Sequence, residues 1–575
     1  MCNFAANEYH ITSKINSKKM KKKEILLLSA AVVLLSSCST KLGSLSADNF
    51  SVTPNPLETQ AGEVPATING MFPEKYMKKK AVVTVTPELR YQTTSGMKWV
   101  KGTSATFQGE KVQGNDQTIS YLVGGRYTMK TSFKYLPEMH ESELYLTFDA
   151  KVGKKSVEVP AVKVATGIIA TSELYKRTLT SAQAAIAQDA FQRVIEQKQE
   201  ANVKFLIGQA QLRKSELQNN SVQEFIRLLG EIAKDQENMV LDGVEVSAYA
   251  SPDGGYQLNE RLAGQRGKVT TEYLQKQLKN SLTIDNNYTA EDWEGFQELV
   301  AASDIQDKDV ILRVLSMYKD PEEREQQIKA ISSAFRELAD GILPQLRRAR
   351  LIANYQLIGR DDDQIMAQIS TDASKLSVEE LLYGATLYDN DVKGATNAYQ
   401  KAVDIYPNDA RAYNNLAALA YQQGNYELAK QWLVKAQRVN ANLPEASANM
   451  GLLALQNGDL ANAENLIAKG SSANGVNEIL GNLYLAQGKY VQAEQQLSQV
   501  NTNSAALAQI MNKNYSGAAK TLKNVQNPDG MTEYLKAVLA SRTGKAADAA
   551  TALKAALAKD ASLRQYADKD LELKK

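Results

Sequence analysis

Cys38 is the residue of this sequence best placed to do chemistry, because its thiol follows a short hydrophobic run. Three lysines at 21–23 form a basic stretch, and residues 25–35 are apolar apart from one serine. The run is well short of the ~20 residues that span a bilayer. It therefore predicts a cleaved signal peptide over residues 1–37 and not a transmembrane helix.

The four residues Leu35-Ser36-Ser37-Cys38 resemble a bacterial lipobox. The resemblance implies that the Cys38 thiol takes a diacylglyceryl group and that this cysteine becomes the new N-terminus. The alternative is an ordinary signal peptide with an incidental cysteine. Residues 38–60 are rich in Ser, Thr, Asn and Pro and show no apolar periodicity, so we expect a lipidated, flexible tether.

The composition argues against several classes of protein. The chain has 575 residues with 67 basic and 65 acidic side chains, a balance without the electrostatic footprint of a nucleic-acid-binding protein. His10 and His140 are the only histidines, which argues against a histidine-based zinc site and against a Ser-His-Asp mechanism. We predict no metal, no cofactor and no catalytic residue, and hence a protein that is not an enzyme.

Residues 61–170 predict an all-β sandwich, because short β-branched or alternating segments recur there between turn signals. Three of these segments are 81–86, 118–123 and 143–148, and the second ends at a Gly-Gly pair. The segment contains no chemical motif. A spacer domain is the simpler interpretation, and binding of a partner or a glycan is the alternative.

Residues 171–200 are rich in Ala and Gln and predict a helical linker. Beyond them, residues 201–360 predict a mixed α/β domain, since strand patterns alternate with amphipathic helix patterns. A helical insertion is expected at about 285–343. Asp320 and Pro321 mark the start of one of its helices, with the aspartate as N-cap and the proline in the first turn.

A motif lies on the second helix of this α/β domain. Its residues are Asn259, Leu262, Ala263, Arg266, Val269, Tyr273 and Leu274. The pattern resembles the OmpA-like C-terminal domain, which is a peptidoglycan-binding module. The resemblance implies that an aspartate and the arginine hold the free ends of diaminopimelic acid. A carboxylate would bind its ammonium group, and the planar guanidinium would bind its carboxylate in a bidentate manner.

The acidic half of this site departs from the family pattern. Ser251 stands where the family has aspartate, eight residues before Asn259, and the nearest acid is Asp253. The expected peptidoglycan-binding residues are therefore Arg266, Asp253, Ser251 and Asn259. The alternative is that Arg266 pairs with Asp253 and braces the loop, in which case the domain is only structural.

Residues 377–560 carry an internal repeat. Ala395, Ala429 and Ala463 recur at a spacing of 34 residues, which is the tetratricopeptide signature. We expect five or six helix pairs that stack into an all-α TPR solenoid, because no pair buries its apolar face alone. Residues 561–575 form a tail.

The concave side of such a solenoid offers an extended binding surface. Tyr406, Tyr413, Asn414 and Tyr421 are the candidate residues of a partner-binding groove. Packing in the helical core is the alternative role at these spacings. The repeats are accordingly expected to recruit a protein partner.

The order of these parts resembles cell-envelope lipoproteins of the Bacteroides group. In such bacteria an acidic run after the lipidated cysteine is associated with surface export. Residues 39–43 contain no acid, which favours the periplasmic face of the outer membrane. The sequence thus predicts a multidomain, membrane-anchored, non-catalytic scaffold that contacts peptidoglycan and a protein partner. The alternatives are an accessory subunit of a secretion or fimbrial assembly without wall binding, and an enzyme that processes glycans or peptides.

Overall fold

The computed structural model describes residues 42–279 and 282–574. Cys38 and the predicted signal peptide lie outside the described residues. The chain divides into two compact units. The first contains the chain up to Gln183 together with Ala454–Asn465 and Asn477–Lys575, and the second contains Ala184–Leu453 and Leu466–Val476.

The N-terminal part of the first unit is rich in β structure, as predicted. Its strands are β1 Phe50–Thr53, β2 Leu57–Glu58, β3 Glu63–Phe72, β4 Ala81–Thr93, β5 Gly96–Lys101, β6 Ala105–Gly109, β7 Gln117–Ile119, β8 Gly125–Lys134, β9 Ser142–Val152, β10 Lys155–Val157, β11 Val162–Thr166 and β12 Ile168–Ile169. One sheet has the order β1-β3-β8 and a second has the order β10-β9-β4-β6-β7, with β11 beside β9 and β5 beside β4. Alternate residues of β3 and β4 are buried, and they share one core between the sheets.

Two expectations for this region are corrected. Residues 42–60 are not a free tether, because β1 pairs with β3 and the side chains of Val52 and Leu57 are buried in the sandwich core. The strand expected over 118–123 ends at Ile119. Leu122 and Val123 then lie exposed in the turn before β8.

The predicted helical linker over 171–200 is wrong for most of its length. Helical turns occupy only Thr171–Ser181, with α1 at Tyr175–Thr178. Residues 182–192 have no regular secondary structure, and β13 begins at Val194 and ends at Lys204. The alanines that suggested a helix are instead buried along an extended chain.

The α/β part of the second unit is built on a four-stranded mixed sheet. Its elements are β13, α2 Lys214–Leu217, α3 Asn220–Ile232, β14 Met239–Tyr249, α4 Tyr256–Gln277, β15 Ile284–Thr289 and β16 Arg348–Ile358. The strand order is β13-β16-β14-β15, with β15 parallel to β14 and the other neighbours antiparallel. Phe225 and Leu229 of α3 are buried against Val246 and Leu351 of the sheet.

The helical insertion begins later than expected. Residues 284–289 form the edge strand β15, which the sequence pattern did not reveal because most of its side chains are polar and exposed. The helices of the insertion are α5 Trp293–Ala301, α6 Lys308–Met317, α7 Pro321–Ala330, α8 Ser332–Glu337 and α9 Leu343–Leu346. The predicted helix start at Pro321 is confirmed, since the Asp320 carboxylate accepts a hydrogen bond from the Glu323 amide.

The C-terminal part of the chain is all-helical, as predicted. After α10 Asp362–Thr371, successive helix pairs are α11 Val378–Thr386 with α12 Val392–Ile405, α13 Ala410–Gln422 with α14 Tyr426–Val439, α15 Pro444–Gln456 with α16 Leu460–Lys469, α17 Val476–Ala486 with α18 Tyr490–Gln496, α19 Asn503–Met511 with α20 Tyr515–Lys523, and α21 Gly530–Arg542 with α22 Ala546–Lys559. A last short helix is α23 Arg564–Ala567. Gly424 and Gly458 turn the chain within two pairs at φ of 74° and 76°, where a side chain would be strained.

Candidate functional site

Arg266 is buried and held in place by the fold around it. Its side chain is 1% exposed, and its three nitrogen groups donate to the carbonyls of Gln209 at 3.0 Å, Tyr249 at 2.9 Å and Leu206 at 3.2 Å. Burial lowers the pKa of Arg266 to about 10. This arginine therefore ties the loop after β13 to the end of β14.

Asp253 and Ser251 pair with a different arginine. Arg347 donates to the Asp253 carboxylate at 3.0 Å and to the Ser251 hydroxyl at 3.1 Å, and Ser251 in turn donates to Asp253. The alternative in which Arg266 braces the loop through Asp253 is thus corrected: Arg347 makes that ion pair. Asn259 stays in the same loop, where its side-chain amide donates to the Gly254 carbonyl at 2.7 Å.

The helical insertion covers this loop. Pro252 and Asp253 face the apolar side chains of Trp293, Phe296 and Ile328, and the cavity that they enclose measures only about 10 Å³. That volume is at the lower limit for one water molecule. The four residues expected to bind peptidoglycan thus lie near one another, and the cavity beside Asp253 is too small for the end of an amino acid.

A second candidate site lies on the repeat helices of the second unit. Residues 184–191, which we call the clasped segment, run extended against α13 and α15. Asn415 accepts from the Ala187 amide at 2.8 Å and donates to the Ala187 carbonyl at 2.9 Å. Asn449 accepts from the Ala185 amide at 2.7 Å and donates to the Ala185 carbonyl at 2.8 Å.

Asn414 completes this arrangement. Its side-chain amide donates to the Ala185 carbonyl at 3.0 Å, and its own oxygen accepts from Asn449 at 2.9 Å. All three asparagines are at most 3% exposed, and so are Ala185 and Ala187. Side-chain amides therefore supply the hydrogen bonds that a neighbouring β-strand would otherwise supply to this buried backbone.

Charged and aromatic groups hold the far end of the clasped segment. The Ala190 amide donates to Glu379 at 2.6 Å, and Arg411 binds Glu379 and Asp409 and also donates to the Gln188 carbonyl at 3.3 Å. Hydrogen bonds from Arg411 lower the pKa of Glu379. The rings of Phe191 and Tyr383 stack with centroids 4.6 Å apart.

The first unit repeats this mode of contact with the residues that precede the clasped segment. The Gln183 amide donates to the Glu478 carboxylate at 3.1 Å, and burial raises the pKa of Glu478. The Tyr566 hydroxyl donates to the Ala170 carbonyl at 3.0 Å. Within this unit, too, side chains of the C-terminal helices bind the connecting chain.

Of the four predicted groove residues, Asn414 binds the extended chain. Tyr406 donates to the Leu376 carbonyl at 2.6 Å, and Tyr413 packs near Trp432 with ring centroids 6.1 Å apart. Tyr421 is 2% exposed beside Tyr426. These three tyrosines contribute to helix packing.

Sequence reasoning missed Asn415 and Asn449. A signal for them was present, because these two asparagines stand 34 residues apart, at the repeat period, and each follows its helix start by five residues. A polar residue that recurs at the same period as the small core residues indicates a position that faces another part of the protein and not solvent.

His140 is buried, its ring bonds the Tyr135 hydroxyl at 2.8 Å, and burial lowers its pKa. Across residues 42–279 and 282–574, no group of three His, Cys, Asp or Glu side chains is arranged to hold a metal ion. In the same ranges, no helix combines the length and the apolar character needed to cross a bilayer.

Comparison with known proteins agrees with the helical part of the fold. A tetratricopeptide repeat family model matches residues 398–431, from within α12 to within α14. The C-terminal helices contain tetratricopeptide repeats. This fold implies a protein partner, since repeat solenoids act through extended binding surfaces. No curated protein matches the chain.

Several solved structures show similarity. A tetratricopeptide repeat protein from Parabacteroides merdae is 17% identical with a TM-score of 0.27, over 37% of this chain and 91% of that one. PilF from Pseudomonas aeruginosa is 19% identical with a TM-score of 0.25, over 37% of this chain and 97% of that one. PilW, a widely conserved type IV pilus biogenesis factor, is 18% identical with a TM-score of 0.25, over 34% of this chain and 96% of that one.

Proposed function

We propose that this protein is a non-catalytic scaffold of a bacterial cell envelope, anchored to the periplasmic face of the outer membrane by a lipid on Cys38. The observation that supports the scaffold role is the helical repeat array, in which a tetratricopeptide repeat model matches residues 398–431. Repeats of this kind present extended surfaces to protein partners. Asn414, Asn415 and Asn449 of the same helices already bind an extended peptide, which is residues 184–191 of this chain.

The clasped segment also restricts where a partner can bind. The amides of Asn415 and Asn449 are saturated by Ala187 and Ala185, so a partner that used them would have to displace a buried and covalently tethered peptide. A tethered occupant has a high effective concentration and is hard to displace. We therefore assign partner binding to repeat surfaces outside the part of the groove that holds residues 184–191.

The lipid anchor rests on the lipobox-like residues 35–38. Two acyl chains on one cysteine suffice for stable attachment. Fractionation of cells that produce the full chain tests the anchor. The wild-type protein should sediment with outer membranes, and Cys38→Ser should appear in soluble fractions. A Cys38→Ser variant that stays with the membranes would overturn the anchor.

The α/β part is proposed to be OmpA-like, on the basis of its strand and helix order and the motif on α4. Two observations favour an accessory role in an envelope assembly over wall binding. Arg266 already donates to three carbonyls, and Asp253 already pairs with Arg347 under the helical insertion. Neither group is available for a zwitterionic amino acid.

Sedimentation with purified sacculi separates these two roles. The accessory role predicts that the wild-type protein stays in the supernatant, as does Arg261→Ala, an exposed change on the same helix. Retention of the wild-type protein that is competed by free diaminopimelic acid would establish wall binding instead.

For the scaffold role, crosslinking in intact cells should yield one defined protein adduct that Cys38→Ser loses. If both chains give the same adduct pattern, or none, the membrane-anchored scaffold is wrong.

A further inference from the structure

One end of the β sandwich carries a concentrated positive charge around an exposed apolar pair. We call this end the lysine tip. It comprises Lys75, Lys78, Lys79, Lys80, Lys111, Lys154, Lys155, Leu122 and Val123. The loops that carry them follow β3, β6, β7 and β9, so all leave the sandwich at the same ends of its strands.

Backbone hydrogen bonds hold these loops together. The Lys75 amide donates to the Tyr121 carbonyl at 2.6 Å, and the Lys111 amide donates to the Lys79 carbonyl at 2.7 Å. The Gly153 amide donates to the Lys80 carbonyl at 2.9 Å, which adds the β9–β10 turn. The loops are therefore joined to one another, and their lysines lie on one continuous surface.

The apolar pair protrudes from this surface. The side chain of Leu122 is 67% exposed and that of Val123 is 83% exposed, although both belong to residue types that are usually buried. Beside them, the Lys78 ammonium lies 5.5 Å from the centre of the Tyr121 ring.

Two acids lie at the same end: Glu74, which pairs with Lys75 at 3.6 Å, and Glu110, which accepts from the Ser120 hydroxyl at 3.0 Å. The seven lysines outnumber these two acids, so the end keeps a net positive charge. Exposed apolar side chains on a surface of net positive charge are typical of a protein that sits in the headgroup region of a bilayer.

The start of the described chain lies at the same end. Leu42 is buried in the sandwich core, and the backbone of Gly43 lies against the ring of Tyr76, in the loop that carries four of the lysines. Leu42 is the fourth residue after Cys38, and four residue steps reach at most about 14 Å. A lipid on Cys38 would therefore enter the membrane close to the lysine tip.

We propose that the lysine tip binds a membrane surface that contains anionic phospholipid, with Leu122 and Val123 inserted at the interface. The biological setting of this contact rests on the proposed lipid anchor, but the contact itself is a property of the β sandwich. The acyl chains would keep the protein at the membrane, and the tip would fix which face of the sandwich meets it.

Vesicle sedimentation of an unacylated chain tests the proposal separately from the anchor. The protein is the chain from residue 38 to 575 with Cys38→Ser, which contains every described residue and neither lipid nor signal peptide. The probes are phosphatidylcholine vesicles with and without phosphatidylglycerol, at low ionic strength. Binding is expected only to the anionic vesicles, and added salt should weaken it.

Matched variants locate the contact. Each lysine near an anionic surface contributes about fivefold, so Lys78→Gln, Lys79→Gln and Lys80→Gln together should weaken binding about 100-fold. Leu122→Ser with Val123→Ser should weaken binding and leave its salt dependence in place. The control removes the same charge from the C-terminal helical part through Lys520→Gln, Lys523→Gln and Lys545→Gln, and should bind like the parent.

Either of two results would overturn the proposal. The first is a parent chain that does not sediment with the anionic vesicles. The second is a control triple variant that loses as much binding as the tip triple variant. The lipid anchor is tested separately by fractionation of cells. Tip variants of the acylated full chain should still fractionate with membranes.

Discussion

Asn415 binds the peptide groups of Ala187 in the same way that Asn449, 34 residues later, binds those of Ala185. The two asparagines are equivalent positions of consecutive repeats, and the two alanines are alternate residues of an extended chain. Two residues of a strand span about 6.6 Å. Equivalent asparagines of consecutive repeats thus bind the backbone groups of alternate residues in the extended chain.

Removal of Asn415 should destabilise the second unit. Asn415→Ala leaves the amide and the carbonyl of Ala187 buried without partners, and each such group costs about 1–3 kcal/mol. We expect the free energy of unfolding in urea to fall by at least about 2 kcal/mol, and the Ala187 amide to lose protection from hydrogen exchange. Asn397→Ala, an exposed change on α12, is the control and should be nearly neutral. Equal protection in both variants would mean that the asparagine does not hold the segment.

Two glycines should respond in opposite directions to alanine. A Cβ on Gly470 would lie 2.5 Å from the backbone nitrogen of Ala448 and 2.6 Å from the Pro444 carbonyl oxygen, so α15 and α16 would have to separate. Overpacking of this kind costs about 1–3 kcal/mol. On α4, a Cβ on Gly264 meets nothing closer than 3.9 Å, and the alanine should stabilise the helix by about 1 kcal/mol. Thermal unfolding of the two variants checks both signs, and a Gly470→Ala protein as stable as the parent would contradict the close helix contact.

The role assigned to Arg266 predicts a loss of stability, not of ligand binding. Arg266→Met keeps the apolar stem but removes the donors to the carbonyls of Gln209, Tyr249 and Leu206. We expect a loss of about 3 kcal/mol in urea unfolding. Arg261→Met on the exposed side of α4 is the matched control and should change stability by less than about 0.5 kcal/mol. An Arg266→Met protein as stable as the parent would mean that these three hydrogen bonds do not stabilise the fold, and a role in ligand binding would again explain the arginine.

Glu478 predicts a pH-dependent stability difference. Burial raises its pKa above the ordinary value of 4.5, so the folded state binds its proton more tightly than the unfolded state does. Below pH 4.5 both states are protonated and the group costs nothing. As pH rises through this value and then through the raised folded pKa, the folded state must bury a charge, and stability falls.

Glu478→Gln keeps an oxygen that accepts from the Gln183 amide and avoids the buried charge. The variant should therefore match the wild type near pH 4 and become more stable than it toward pH 7. Urea unfolding at several pH values measures the difference. Glu464→Gln, an exposed change on α16, should show no such divergence. A difference of the opposite sign would mean that the carboxylate is stabilised by a neighbour.

Local sequence patterns were sufficient for the elements whose side chains alternate or recur. Leu144 and Leu146 alternate with Tyr145 in β9, and Ala395 and Ala429 recur at the repeat period, so both the β-rich and the helical parts were predicted. The edge strand β15 was missed because an exposed polar strand has no such alternation. Its pairing with β14 is set by the sheet and not by its own side chains.

Contacts between distant residues explain the other features that the sequence did not predict. Alanines at 182–187 favour a helix locally, but the amides of Asn415 and Asn449 satisfy an extended backbone there, and tertiary contacts override helix propensity. Arg347 is 94 residues from Asp253, so no local motif could name it as the partner of that carboxylate. The motif on α4 could be recognised in the sequence. The three carbonyls that accept hydrogen bonds from Arg266 could not.

The clasped segment also imposes an order on biogenesis. Ala185 precedes Asn414 by 229 residues, and synthesis delivers the N-terminal side first. The extended peptide must therefore wait, with its amides bonded to water, until α13 and α15 have been made. These repeats then fold around a peptide that is already present. Their final stacking therefore depends on residues 184–191, which were made earlier.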